Sequence, residues 1–161
     1  LAVAAATGGI VGGVAPDLDL FVGVHRRTLH FPVAGPATGV AACLVALSSP
    51  STLTVGVAVG LLAAGLHATS DVLGAGEELR PWERTNPNAV YDHVRGRWLR
   101  ARYVIRYDGA PEDLAVAVFL AVPVGAIYTD LRWLIGGLLV VAATYTLTRK
   151  RLVPHFERLL E

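Results

Sequence analysis

The sequence predicts an all-α fold, a polytopic transmembrane bundle of about five helices that forms a single membrane-embedded domain over residues 1–161. Hydrophobic residues make up 53% of the chain and charged residues only 17%, whereas a typical soluble domain has roughly 25% charged residues. The mean hydropathy is +0.51. The apolar residues fall in five runs, and nearly all basic residues lie on one side of those runs.

The five apolar runs give the expected helices in chain order, at residues 1–15, 33–47, 53–73, 114–128 and 131–148. About 20 residues are needed to cross a hydrocarbon core of roughly 30 Å. The third and fifth runs approach that length. The second and fourth are short and require helix extension or a locally thin bilayer. A soluble Ala-rich helical bundle is the alternative fold.

Glycines recur inside three of these runs, and Pro123 interrupts the fourth. In water a glycine within a helix costs about 1 kcal/mol relative to alanine, whereas in lipid small residues allow helix backbones to approach closely. A membrane helix also tolerates an internal proline. We therefore expect close helix packing at Gly8, Gly9, Gly12, Gly13, Gly56, Gly60, Gly65, Gly136 and Gly137.

The distribution of basic residues predicts the orientation of the bundle. Five crossings place residues 16–32, the long loop 74–113 and the amphipathic tail 149–161 on the same side. That side carries thirteen of the fourteen Lys and Arg residues, and only Arg132 lies on the other. By the positive-inside rule, this side is cytoplasmic. We expect a multi-pass protein of the cell (inner) membrane with a cytoplasmic C-terminus.

The long loop is rich in arginine, but it also contains seven acidic residues that balance its charge: Glu77, Glu78, Glu83, Asp92, Asp108, Glu112 and Asp113. Nucleic-acid binding normally requires an unbalanced basic surface, so no nucleic acid is expected as a partner. Membrane lipids are the expected partners of residues 95–106, where Trp98 and Tyr103 are suited to the membrane interface.

Two short motifs with metal-ligand chemistry follow the first apolar run. Residues 16–19 read Pro-Asp-Leu-Asp, so Asp17 and Asp19 can converge on one cation or bridge two. Residues 25–30 read His-Arg-Arg-Thr-Leu-His and place His25 and His30 in the same loop. Imidazole and carboxylate groups are the ligands expected at a hydrolytic zinc, manganese or iron site.

A third motif lies at the predicted cytoplasmic end of the third run. His67 and Asp71 are four residues apart, which places them on one face of a helix. A charged side chain within a membrane helix costs at least about 2.5–3.5 kcal/mol, so such residues are functional candidates. Two spans separate this motif from the others, and a helical bundle assembles sites from different helices in this way.

Together the three motifs predict a site for one or two divalent metal ions (Zn, Mn or Fe) with the ligands Asp17, Asp19, His25, His30, His67 and Asp71. Asp17 and Asp19 are also the expected catalytic residues, as a bridging ligand or general base. Arg26 and Arg27 are the expected substrate-binding residues because they can neutralise an anionic group. Asp92 and His93 are expected either to form a second-shell pair, in which a carboxylate orients an imidazole, or to interact locally in a turn. Glu77 is a further second-shell candidate, with helix capping or a solvated charge as its alternative.

The same motifs resemble those of the membrane-bound metal-dependent hydrolases, a family that includes inner-membrane proteins described as LexA-binding. That family has Pro-Asp-x-Asp, His-Arg-Gly-x-Thr-His-Ser and His-x-x-x-Asp in this order, and the resemblance extends from about residue 9 to residue 113. Arg27 replaces the family's glycine, Phe31 its serine, and Thr28 is shifted by one position. A Thr-His of the family would precede Leu1. The resemblance implies the same six metal ligands.

The function expected from the sequence is hydrolysis of a small-molecule or lipid phosphoester at the cytoplasmic membrane surface. The alternative is a non-catalytic membrane protein in which a structural metal or a polar network supports docking of a cytosolic protein partner. A transporter would place its ionisable residues near the middle of the membrane, whereas these residues lie at one face.

Overall fold

The computed structural model describes residues 1–160, without the side chains of Phe156, Leu159 and Leu160. Over this range the chain is mostly helical, as predicted, and contains five α-helices and one β-hairpin. The helices and strands are α1 (Ala2–Val14), α2 (Ala34–Ser48), α3 (Thr52–Ser70), β1 (Asn88–Asp92), β2 (Arg97–Arg100), α4 (Pro111–Ile127) and α5 (Arg132–Leu160).

Two stretches, Thr52–Leu73 and Thr129–His155, are long and apolar enough to cross a membrane. The first comprises α3 and the turn after it, and the second lies mainly in α5. The helices α1, α2 and α4 have 13, 15 and 17 residues, which is below the roughly 20 residues of a full crossing. Helix length alone therefore supports two crossings and does not establish five.

Glycines bring α1 and α2 into backbone contact with α3, which confirms the expected close packing at positions such as Gly12 and Gly65. The expectation is wrong at Gly13, Gly136 and Gly137, where an added Cβ atom would meet no atom within 4 Å. A Cβ atom added to Gly12 would overlap the carbonyl oxygen of Gly60, and one added to Gly65 would overlap the backbone of Gly35. Close approach of this kind is possible only where the facing residues lack side chains. The pairing Gly8–Gly56 then Gly12–Gly60 shows that α1 runs parallel to α3.

The helix α2 runs antiparallel to α3, because Gly35 faces Gly65 while Gly39, one turn further on, faces Leu62. The C-terminal ends of α1 and α3 therefore lie at the same end of this three-helix bundle as the N-terminus of α2. All three candidate motifs occur at those helix ends. The topology of the bundle thus brings them together.

Many large apolar side chains of the helices are exposed. Trp133 is 91% exposed and Phe119 is 76% exposed, and α4 has no buried residue. Monomeric soluble proteins rarely expose apolar patches of this extent. The helices α4 and α5 pack on each other, and their outer surfaces present apolar side chains to the surroundings.

Residues 74–113 contain more structure than the loop expected from the sequence. The strands β1 and β2 form an antiparallel hairpin in which Tyr91 pairs with Trp98. Backbone hydrogen bonds join the next segment to the end of α3, from Arg102 to Val72 (2.8 Å) and from Ile105 to Leu73 (3.0 Å). The hairpin is therefore held beside the end of the helical bundle.

The end of α5 is also tied to this segment. Arg149 donates to Asp108 (Nε to Oδ2, 2.9 Å), and the Arg80 guanidinium makes a bidentate pair with Glu157 (2.6 and 2.7 Å). The predicted tail at residues 149–161 is a continuation of α5 up to Leu160. These ion pairs hold the C-terminal end of α5 at the same end of the molecule as the candidate motifs.

Candidate metal centre

Four donor atoms from three parts of the chain converge at this end of the bundle. The Nε2 atom of His30 lies 3.3 Å from Oδ2 of Asp71 and 3.6 Å from Oδ1 of Asp17. The same Asp17 oxygen lies 3.3 Å from Nε2 of His67. We call Asp17, His30, His67 and Asp71 the four-donor cluster.

Three residues of the cluster, Asp17, His30 and His67, offer donor atoms that all lie within 4.8 Å of one another, and Asp71 joins them through its contact with His30. Donor atoms bound to a tetrahedral zinc at about 2.0–2.1 Å lie roughly 3.3–3.4 Å apart, close to the 3.3 Å of the pairs His30–Asp71 and His67–Asp17. Two of the atoms, Nε2 of His30 and Oδ2 of Asp71, are buried and have no hydrogen-bond partner in the described part of the chain. An unsatisfied buried polar atom costs about 1–3 kcal/mol. A cation shared by both atoms would remove that cost.

The imidazoles of His30 and His67 are each held by a hydrogen bond at Nδ1, so that Nε2 points towards the cluster. His67 donates from Nδ1 to the carbonyl oxygen of Gly13 (2.7 Å). His30 donates from Nδ1 to Oδ2 of Asp19 (2.8 Å). Because a proton on Nδ1 leaves a lone pair on Nε2, these bonds fix the tautomer that a metal requires. The role of the Gly13 carbonyl could not be predicted from the sequence, since every residue has a backbone carbonyl.

The structure places Asp19 at the opposite edge of the His30 ring from the four-donor cluster. Its carboxylate is 1% exposed and accepts hydrogen bonds from Nδ1 of His25 (2.9 Å), Nδ1 of His30 (2.8 Å) and the backbone N–H of Leu29 (3.2 Å). Distances of 2.8–2.9 Å are those of charge-assisted hydrogen bonds and are shorter than the separation of two ligands on one ion. Asp19 therefore organises the histidine loop, and with His25 and His30 it forms a second group of donor atoms that all lie within 4.8 Å of one another.

Local backbone conformation brings Asp17 and Asp19 into these positions. Residues Ala15–Leu20 form a short 3₁₀ helix with Pro16 in its first turn. In this helix Asp17 lies towards α3 and remains 45% exposed, while Asp19 lies beneath the loop. The loop itself turns through Gly23 and Arg26, which have φ angles of +115° and +56°.

The electrostatics agree with this arrangement. Close contact with the imidazoles of His30 and His67 holds the pKa of Asp17 well below its usual range. Burial alone would raise the pKa of Asp19, but hydrogen bonds from His25, Leu29 and His30 outweigh it and lower the pKa. Burial likewise opposes charge on His30, yet its contacts with Asp17 and Asp19 raise its pKa. The carboxylates of Asp17 and Asp19 are thus ionised at neutral pH, the form in which a carboxylate binds metal.

The remaining predicted residues lie around the cluster. His25 bonds Asp19 through Nδ1 (2.9 Å), and its ring lies edge-on to the His30 ring, with the centroids 5.4 Å apart. Arg26 donates to the carbonyl oxygen of Ala75 (2.8 Å), and its charge is close enough to act on Asp71. Arg27 stacks over the Tyr91 ring at 4.5 Å, which directs it to the hairpin.

The structure gives Asp92 and His93 partners away from the cluster. Asp92 is buried and accepts from the backbone of Val94 and Arg95 and from the Arg95 guanidinium. His93 bonds the carbonyl oxygen of Arg27 through Nε2 (2.6 Å). Asp92 thus shapes the hairpin turn and His93 connects the hairpin to the histidine loop, and neither orients a ligand of the cluster.

A cleft of about 450 Å³ adjoins the histidine loop. Its lining includes His25, Arg26, Glu77 and Arg149. Small-molecule sites commonly have volumes of about 300–1,000 Å³. Glu77 therefore lies in a cleft wall beside Arg26, and its backbone N–H is bonded to the carbonyl oxygen of Asn88 (2.8 Å).

Comparison with family models, with curated proteins and with solved structures found no match to this chain.

Replacing Asp19 by asparagine is expected to weaken metal binding about 10–100-fold, the usual effect of losing a carboxylate that orients a ligand histidine. Asparagine retains the shape but cannot accept from two imidazoles with the strength of a carboxylate. The measurement is zinc affinity by competition with a chromophoric chelator. Asp130→Asn, an exposed carboxylate at the far end of α5, is the matched control. If Asp19→Asn bound zinc with the affinity of the wild type, Asp19 would not be the residue that orients the histidine ligands.

Proposed function

We propose that the chain is a membrane-bound, metal-dependent hydrolase in which Asp17, His30, His67 and Asp71 hold one divalent cation. The observation that carries this proposal is the convergence of the four donor atoms, two of them buried and unpartnered. Two imidazoles and two carboxylates suit zinc, manganese or iron. The motif resemblance to membrane-bound metal-dependent hydrolases supports the same function.

Partial exposure of the cluster favours catalysis over a purely structural metal. Structural sites are closed on all sides, whereas catalytic sites keep an open position. His30 is fully buried, but the side chain of Asp17 is 45% exposed and that of His67 is 22% exposed. A substrate can therefore approach from the Asp17 side.

The role of each group in hydrolysis follows from its position. A divalent cation supplies a Lewis acid for an ester or phosphoryl oxygen and activates water near pH 7. Asp17, at the exposed side, is placed to accept a proton from the attacking water. Asp19 and the Gly13 carbonyl keep the His30 and His67 rings in position. Arg26, in the wall of the cleft, is suited to bind an anionic group of the substrate.

We propose a multi-pass membrane location with this site at the cytoplasmic face. The exposed apolar side chains of α4 and α5 would face lipid. The alternation of direction from α1 to α3, and the grouping of the basic segments at one end, agree with five crossings. The short helices α1 and α2 would then cross a locally thinned bilayer, since a span shorter than the hydrocarbon core thins the bilayer around it. They would stand nearly along the membrane normal, because tilt would shorten the distance that they span.

The proposed activity is tested with the full chain purified in detergent and loaded with zinc, manganese or iron. Hydrolysis of a chromogenic phosphodiester and of a phosphomonoester is expected to require metal, to stop on chelation and to return on reloading. Asp17→Asn, which retains an oxygen ligand, is expected to lower kcat by about 10²–10⁴-fold, the usual range for loss of a general base.

The non-catalytic alternative makes a different prediction for the same samples. A stoichiometric metal content without metal-dependent hydrolysis of any phosphoester would indicate a structural metal site. Absence of metal from the wild-type chain after loading would exclude both forms of the metal proposal.

A further inference from the structure

A second, cationic cleft lies on the hairpin, apart from the metal centre. It has a volume of about 710 Å³ and is lined by Val72 and by residues 97–102, which include β2. Three of its residues are arginines: Arg97, Arg100 and Arg102. We call this cleft the arginine groove.

The three arginines of the groove are not neutralised by the protein. All three are exposed, and none makes an ion pair with a carboxylate among the described residues. Their neighbours differ, because Arg95 pairs with Asp92 (2.9 Å) and Arg106 pairs with Glu112 (2.7 Å). The acidic residues that balance the whole segment thus leave three positive charges concentrated in the groove.

The groove lies directly beyond the end of the apolar stretch Thr52–Leu73. Val72 belongs to that stretch and also lines the groove, and its carbonyl oxygen accepts from the N–H of Arg102 (2.8 Å). The groove is therefore held within one helical turn of the point where α3 would leave the hydrocarbon core. In a bilayer this is the depth of the phosphate groups.

The lining of the arginine groove also contains apolar side chains. Val72, Trp98 and Leu99 line the groove together with the arginines, and tryptophan is an interfacial residue type. A surface that combines guanidinium groups with apolar side chains and a tryptophan at that depth suits an amphiphile. A soluble polyanion such as RNA would use only the charges.

We propose that the arginine groove binds the headgroup of an anionic phospholipid, with the phosphodiester against Arg97, Arg100 and Arg102 and the acyl chains beside α3. The proposal rests on the membrane placement of α3 and is independent of hydrolysis at the metal centre. Arginine is suited to this role because its planar fork binds phosphate oxygens in pairs.

The test uses Trp98 as a local probe in the full chain carrying Trp82→Phe and Trp133→Phe. The protein is reconstituted in phosphatidylcholine vesicles with increasing fractions of chain-brominated phosphatidylglycerol or chain-brominated phosphatidylcholine. Near an anionic surface each arginine contributes about fivefold to binding. We expect Trp98 to be quenched by phosphatidylglycerol at a lipid fraction at least about tenfold lower than by phosphatidylcholine.

The triple variant Arg97→Gln/Arg100→Gln/Arg102→Gln is expected to lose this preference. The control, Arg132→Gln/Arg151→Gln/Arg158→Gln, removes the same charge elsewhere and should retain it. Equal quenching by the two lipids in the parent protein, or an unchanged preference in the groove variant, would overturn the proposal, as would RNA binding at the groove without lipid preference. Metal content is measured in the same samples and should be unchanged, so failure here is distinct from failure of the metal centre.

Discussion

Replacing His30 by alanine is expected to reduce the metal content of the purified chain from about one ion to less than about a tenth of an ion. His30 supplies the buried donor that faces both Asp17 and Asp71. Its loss removes a direct ligand, and even the loss of a residue that only orients a ligand costs about 10–100-fold in affinity. Elemental analysis of the detergent-purified protein gives the result.

Two further variants make this experiment decisive. His30→Gln retains most of the side-chain volume, so a loss of metal there cannot be ascribed to a cavity. His155→Ala removes a histidine whose Nδ1 bonds the Arg151 carbonyl of its own helix, and it should leave metal content unchanged. Equal metal content in wild type, His30→Gln and His155→Ala would show that the cluster does not hold the ion.

Replacing Gly65 by valine is expected to have two effects: a Tm lower by about 10 °C and a lower metal content of the purified protein. A side chain at position 65 would overlap the backbone at Gly35 and Pro36. Overpacking costs about 1–3 kcal/mol, and for a chain of this size each kcal/mol shifts Tm by about 2–4 °C. The metal content falls as well, because His67 and His30 lie close in sequence to Gly65 and Gly35. A displacement of α2 from α3 would therefore separate the two histidines.

The matched control is Gly137→Val in α5, where an added Cβ would meet no atom within 4 Å. Its expected change in Tm is small. Thermal unfolding of the detergent-purified proteins, followed by circular dichroism, makes the comparison. If Gly65→Val and Gly137→Val unfolded at the same temperature, the close packing of α2 on α3 would not contribute to stability.

The helices and the location of the cluster could be predicted because both follow from periodicity and sequence order. The i, i+4 spacing of His67 and Asp71 predicts one helix face, and the apolar runs closely match α1 to α4, whereas α5 continues past the fifth run to Leu160. By contrast, nothing in Pro-Asp-Leu-Asp tells which carboxylate faces the metal. That choice depends on the 3₁₀ turn at Ala15–Leu20, which points Asp17 to α3 and Asp19 to the histidine loop.

The sequence pattern does not predict the hairpin, and the reason is physical. The strands Asn88–Asp92 and Arg97–Arg100 have only five and four residues, and many of their side chains are polar or charged, so they lack the apolar alternation of a half-buried strand. Their stability comes from contacts distant in sequence, such as the N–H of Tyr91 with the Arg26 carbonyl (2.9 Å). The sequence places Asp92 next to His93, but the partners of both side chains depend on the hairpin: Asp92 bonds Arg95 and His93 bonds the Arg27 carbonyl.

The most direct test of the four-donor cluster is X-ray absorption spectroscopy at the K-edge of the bound metal. The four-donor cluster predicts only nitrogen and oxygen neighbours, at about 2.0–2.2 Å for zinc, with outer-shell scattering from two imidazoles. In His67→Ala that scattering should fall to one imidazole. A sulfur neighbour at about 2.3 Å, which would implicate Cys43, or the absence of imidazole scattering would contradict the site.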